Sequence, residues 1–199
     1  MSTTKIENFK WETNGEGVTV TAYTGDESCV VIPETIDEKP VKGIGAFAFS
    51  RNSKLTSLTL PQGLNSIGVY AFQKCSSLSG IFIPNSVTTI GNGAFYNCHC
   101  LSFVALSSRL ESIGDHAFFG CNDLESVTLP KTLIKIGAYA FADCGLLKKL
   151  YYPESKNRLD EICGENWIDH TDSLKIHYNT LNLISADKSC SDSLLEYYN

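Results

Sequence analysis

The sequence predicts an α/β repeat solenoid: a leucine-rich repeat with a curved parallel β-sheet on its concave face, an N-terminal β-hairpin cap and an irregular C-terminal cap. Three observations carry this. Ile-Gly recurs every 23 residues, at Ile44-Gly45, Ile67-Gly68, Ile90-Gly91, Ile113-Gly114 and Ile136-Gly137. Ala-Phe follows each pair, at Ala48-Phe49, Ala71-Phe72, Ala94-Phe95, Ala117-Phe118 and Ala140-Phe141. Leucines and a short alternating apolar segment complete every unit, and a period of about 20 to 29 residues with that content marks leucine-rich units.

The elements follow in order. Residues 1–28 read as a capping hairpin, because Phe9–Thr13 and Val18–Tyr23 alternate around Asn14-Gly15-Glu16-Gly17. Residues 29–153 hold the repeats. Leu58 and Leu60 of the segment Ser57–Pro61 face inward, and the matching columns run Leu58, Ile81, Val104, Val127, Leu150 and Leu60, Ile83, Leu106, Leu129, Tyr152. Identical columns predict strands pairing in parallel at ~4.8 Å. Pro61, Pro84, Pro130 and Pro153 end four of them, since proline cannot donate to the ladder. Ser107 breaks that column.

Each Ile-Gly is expected to turn the chain toward the convex side, its glycine sitting where only a missing Cβ permits the path. The phenylalanines are expected to form an aromatic spine, and Gly-x-x-Ala-Phe-x-x-Cys predicts a short helical turn. Cys29–Pro33 at one end and Lys175–Tyr178 at the other repeat the strand pattern, which predicts about seven strands and roughly 30 Å of sheet. Residues 154–199 read as a C-terminal cap with a degenerate repeat and a tail. Segment 154–173 departs from the repeat, with a short helix around Leu159–Cys163. Beyond it, Asp192–Tyr198 reads as a last helix or a frayed end.

The unit Ile113-Gly114, Ala117-Phe118, Cys121, Leu124, Val127, Leu129-Pro130 resembles the BspA-like leucine-rich repeat family, and the full pattern covers residues 44–153. The resemblance implies adhesion or protein binding at cell surfaces rather than catalysis. The family has no shared ligand site to carry over.

Composition narrows the function classes. The net charge of −6 over 199 residues argues against a nucleic-acid partner, which needs clustered Lys and Arg. The charge is segregated: residues 1–40 hold 3 Lys+Arg against 8 Asp+Glu, residues 41–150 hold 9 against 5, and residues 151–199 hold 4 against 9. Charged ends are expected to keep a solenoid soluble and monomeric. No apolar run is long enough to span a membrane. The first residues lack the apolar core of a signal peptide. Two localisations therefore stay open: the cell surface, if an export signal has been removed, or the cytoplasm.

Of eight cysteines, Cys75, Cys98, Cys121 and Cys144 form a file at the 23-residue period, with Asn52 in the same column. Their parallel Cβ vectors suit neither a disulfide nor a tetrahedral metal. They are expected to act as small buried groups donating weakly to loop carbonyls. Cys98-His99-Cys100 lacks a second ligand pair, so no metal and no cofactor are expected. Cys29, Cys163 and Cys190 lie off the file, with an oxidised pair among them left open. The histidines His99, His116, His170 and His177 fall in no catalytic motif, and no enzyme activity is expected.

The outward strand positions give two columns: Cys29, Ser57, Gly80, Phe103, Ser126, Lys149, Lys175, and Val31, Thr59, Phe82, Ala105, Thr128, Tyr151, His177. Most are small or polar. Phe82, Phe103 and Tyr151 depart from that rule, with Lys149, Lys175 and His177 at one end of the row. These six are the candidate partner-binding residues, since solenoids bind on the strand face and aromatics dominate binding hot spots. The expected partner is a protein, possessing acidic groups that the lysines steer. The alternative role is a cytoplasmic scaffold or interaction protein. A second, lower-ranked patch is the column Phe47, Tyr70, His116 and Tyr139.

Overall fold

The computed structural model describes residues 4–171 and 173–179. The chain is a solenoid of about seven turns. A first file of seven strands lies at the expected places: Cys29–Val31, Ser57–Thr59, Gly80–Phe82, Phe103–Ala105, Ser126–Thr128, Lys149–Tyr152 and Lys175–Tyr178. Register follows the repeat, with Cys29 opposite Ser57, Gly80 opposite Phe103, and Ser126 opposite Lys149 opposite Lys175, all parallel. The expected single ladder is divided into three hydrogen-bonded groups of two, two and three strands. Strands of three residues offer few ladder bonds, so the loss of one or two is enough to interrupt the pairing.

The unbroken ladder runs elsewhere. Ser66–Ile67, Thr89–Ile90, Ser112–Ile113 and Lys135–Ile136 form a second file of two-residue parallel strands. The Ile-Gly is thus a strand as well as a corner. Its glycines are required by close approach and not by left-handed φ. A Cβ on Gly68 would lie 2.7 Å from the Ile44 carbonyl oxygen of the preceding turn.

The second file begins with the predicted hairpin, β1 (Phe9–Asn14) and β2 (Gly17–Tyr23), turning at Gly15 with φ 60°. β2 pairs in parallel with Lys39–Ile44, and Phe9, Val18 and Val20 are buried in the core. A second hairpin went unread in the sequence. Thr35–Ile36 folds back on Lys39–Ile44 through Asp37 and Glu38, both at positive φ (49° and 62°). Such primed turns usually advertise themselves with Asn-Gly, and here no glycine marks the place.

The Ala-Phe segments are turns rather than helices. Tyr70, Lys74, Asn97, His116, Tyr139 and Asp143 all take φ between 52° and 58°, which interrupts any right-handed helix. Alternate amides instead donate to the next turn: Tyr70 N to Asn92 O at 2.8 Å, Phe72 N to Ala94 O at 2.7 Å, Lys74 N to Tyr96 O at 2.8 Å. Inside, Phe49, Phe72, Phe95, Phe118 and Phe141 stack at 5.0 to 5.2 Å, forming the expected spine.

The cysteine file behaves as its spacing suggests. The thiols of Cys75, Cys98, Cys121 and Cys144 donate to Phe49 O, Phe72 O, Phe95 O and Phe118 O at 3.0 to 3.3 Å. Burial pushes the Cys75 and Cys144 thiols up to about 12, and those of Cys98 and Cys121 well above their ordinary value. Cys29, Cys100 and Cys163 are free as well; Cys190 lies outside the described residues. Thiolates are the reacting species, so Cys29 and Cys100, both exposed, are expected to label with iodoacetamide in the folded protein. The four file thiols are expected to label only after unfolding. Peptide mass spectrometry reads both.

Segment 154–173 departs from the repeat less than its sequence suggests. Helix α1 (Lys156–Ile162) is inserted there, with the Ser155 side chain accepting from Arg158 N as N-cap. The solenoid then resumes: Gly164 N donates to Ile136 O at 2.6 Å, Phe141 N to Trp167 O at 2.7 Å, and Trp167 packs edge-on against Phe141. The segment 192–198 lies outside the described residues.

Beside β2, Glu27 accepts from Tyr23 Oη and, at 2.9 Å, from Asn8 Nδ2. The tyrosine hydrogen bond holds the Glu27 carboxyl below the ordinary carboxylate value, while burial and Glu27 hold the Tyr23 phenol above its own. A carboxyl depressed on folding stabilises the fold above its unfolded pKa, and that contribution fades as pH falls through the folded value. Glu27→Gln is therefore expected to lower Tm at pH 7, and the gap from wild type to narrow below about pH 4. Thermal melts across pH 3–7 measure it.

Candidate functional site

The outward residues of the first file form two ring pairs. Phe82 and Phe103, on paired strands, meet at 5.1 Å between centroids and 57°. Tyr151 and His177, also opposite one another, stack at 5.0 Å and 23°. All four are half-buried. Between the pairs lies the strand Ser126–Thr128, whose Ser126 and Thr128 are exposed. The diagonal contact expected for Phe82 and Phe103 is present; the six candidates are not one continuous patch.

Lys149 and Lys175 sit opposite one another, exposed, and neither has an ion pair among the described residues. Two neighbouring ammonium groups with no carboxylate partner give that end of the face a positive field. Among the described residues His177 Nε2 is buried with no hydrogen-bond partner. On the neighbouring strand Tyr152 is buried in the core, and burial raises its pKa. Among the described residues no three His, Cys, Asp or Glu converge to hold a metal, and no helix is long and apolar enough to cross a membrane.

A second row of rings lines the Ala-Phe turns. Phe47 stacks on Tyr70 at 5.4 Å; Tyr70 meets Tyr96 edge-on at 6.2 Å; Tyr96 stacks on Phe119 at 5.1 Å; His116 stacks on Tyr139 at 5.1 Å. The column read from the sequence gave Phe47, Tyr70, His116 and Tyr139. It missed Tyr96 and Phe119, whose mutual spacing of 23 was the available signal. These rings largely face each other, which fits packing between turns.

The stacked turns, the phenylalanine spine and the two files define a β-solenoid of leucine-rich units. The chain belongs to the BspA type leucine rich repeat family: that repeat matches residues 27–171 in 6 copies. Among solved structures, a T. pallidum leucine rich repeat protein superimposes with a TM-score of 0.74 at 26% identity, over 89% of this chain and 86% of that one. A leucine rich cell surface protein from Faecalibacterium prausnitzii A2-165 gives 0.47 at 22% identity, over 76% of this chain and 55% of its own length. A leucine-rich repeat protein from Bacteroides capillosus ATCC 29799 gives 0.46 at 24%, over 76% and 99%. No curated protein matches the sequence.

The sixth copy extends past the five read from the Ile-Gly pairs. Its corner is Cys163-Gly164, 27 residues after Ile136-Gly137, and a Cβ on Gly164 would lie 2.5 Å from Ala138 N. The close approach of a glycine to the preceding turn is the same as in the earlier copies.

Proposed function

We propose that the chain is a non-catalytic, adhesion-type protein-binding module that works through the outward face of its first strand file. The observation that supports this is the pairing of two aromatic contacts, Phe82–Phe103 and Tyr151–His177, with two exposed lysines on one face that form no ion pair among the described residues. Rings supply desolvated contact area, and the lysines draw an acidic segment of the partner. On this reading the face is the concave one, residues 1–28 cap one end of the core, residues 29–153 carry the binding repeats, and residues 154–199 close the other end.

The test is capture of partners from cell-surface extracts and from source-cell lysate, with Phe82→Ser/Phe103→Ser beside wild type and circular dichroism to confirm folding. Loss of a partner in the double variant supports the reading; equal retention overturns it. For a partner so captured, Lys149→Glu/Lys175→Glu is expected to slow association about tenfold at low salt, with the difference shrinking at high salt, read by surface plasmon resonance.

A second reading, a cytoplasmic scaffold, draws on the seven free cysteines among the described residues, which suit a reducing compartment. The extract that yields the partner decides between the two.

A further inference from the structure

The loops that follow the phenylalanine spine line a shallow recess of about 340 Å³ that is largely open to solvent, apart from the first-file face. It exists because side chains are missing. Phe119 has one face on Tyr96, at 5.1 Å and 8°. His116 also meets it, tilted at 5.6 Å, but the same column of the next turn supplies only Ala142, and Gly120 and Gly145 add nothing, so the Phe119 ring still lines the recess. A Cβ on Gly145 would meet no atom within 4 Å.

Planar polar groups surround that ring. His99 Nδ1 lies 3.1 Å from Gly120 O. A carbonyl only accepts, so His99 donates from Nδ1. His170 donates from Nδ1 to Asp143 Oδ1 at 3.0 Å. The other carboxylate oxygen of Asp143 has no partner among the described residues, and neither do the side-chain amides of Asn97 and Asn122, which also line the recess.

The ligand chemistry follows by elimination. The carboxylate of Asp143 opposes an anion. No three metal-ligating groups converge among the described residues. The polar walls would strand their hydrogen-bonding capacity against an apolar molecule. A neutral cyclic polyol satisfies every group: its C–H face covers an aromatic ring, and its adjacent hydroxyls donate to a carboxylate while accepting from amides. Ligand pockets run from about 300 to 1,000 Å³, so this one suits one or two sugar rings. We infer that the recess is a saccharide subsite taking a neutral pyranose, with its C–H face on Phe119 and its hydroxyls shared by Asp143, Asn97 and Asn122. The site is independent of the first-file face, and it stands or falls separately from protein binding there.

The experiment is ligand-observed saturation-transfer NMR on the full chain with the methyl glycosides of glucose, galactose, mannose and N-acetylglucosamine. Glycerol is the control. At least one glycoside is expected to bind at about millimolar Kd, the range a small, solvent-open site permits. Asp143→Asn keeps a residue that tolerates φ 55° and is expected to weaken binding about tenfold. Gly145→Leu fills the recess and abolishes binding, while Phe82→Ser/Phe103→Ser leaves it unchanged. Absence of binding by all four glycosides overturns the inference. So does equal saturation of glycerol, or binding that survives in a folded Gly145→Leu protein.

Discussion

Phe118→Ala is expected to lower the unfolding free energy by about 3–5 kcal/mol, the range for emptying a phenylalanine site in a packed core. Phe118 is fully buried, with Phe95 at 5.1 Å and 7° on one side and Phe141 at 5.0 Å and 5° on the other. The cavity therefore opens between two turns and costs both interfaces. In a solenoid, stability is a sum of unit and nearest-neighbour terms, so a damaged interface also weakens the coupling of one half to the other. Urea denaturation is expected to show a lower midpoint and a broader or two-step transition. Phe47→Ala is the comparison: at 55% exposure its loss is expected to stay within about 0.5–1 kcal/mol. Equal effects at the two positions would contradict the assignment of the spine to the core.

Gly114→Ala is expected to cost about 3 kcal/mol, at the upper end for overpacking, although it adds one methyl group. That methyl would sit 2.5 Å from Asn92 N and 2.6 Å from Gly91 C, both backbone atoms of the preceding turn. Backbone cannot rotate away, so the turns must separate and strain the Gly114 N to Ile90 O bond of 2.8 Å. Gly145→Ala provides the control. Nothing lies within 4 Å of its Cβ, and the substitution is expected to be neutral or to stabilise by about 0.4–1 kcal/mol through the unfolded chain. Thermal and urea unfolding measure both. A Gly114→Ala protein as stable as wild type would mean the second file is not packed as described.

Much of this fold is legible in the sequence because the solenoid repeats its own constraints. Leu58, Ile81 and Val104 point inward for one reason, so a pattern too weak in a single turn becomes firm when it recurs. The spine and the thiol-to-carbonyl bonds follow from the same columns. The features missed in the sequence are those the repeat does not enforce. Asp37-Glu38 makes a primed turn once, without glycine. The sixth turn hides behind the inserted α1, which shifts Cys163-Gly164 off the period and replaces Ile with Cys and Phe with Ile168. The helical turn expected at Ala-Phe failed because two columns are left-handed in every unit, and they are marked only in part: Gly93, Asn97, Gly120 and Asp143 favour that conformation, whereas Tyr70, Lys74, His116 and Tyr139 do not advertise it.

The site was partly legible. Alternation alone assigns Phe82, Phe103, Tyr151 and His177 to the outward face, and strand pairing brings them into contact two by two. The exposed gap at Ser126 and Thr128 also follows from the columns. The recess around Phe119 was not legible, because it depends on what Ala142, Gly120 and Gly145 lack rather than on any motif.

Hydroxyl-radical footprinting of the protein with a captured partner tests the central claim most directly, since it reads aromatic side chains one by one. Protection of Phe82, Phe103, Tyr151 and His177, with Tyr96, His116 and Tyr139 unchanged, is the predicted result. Protection of Tyr96, His116 and Tyr139 with the first-file rings unchanged would contradict the account.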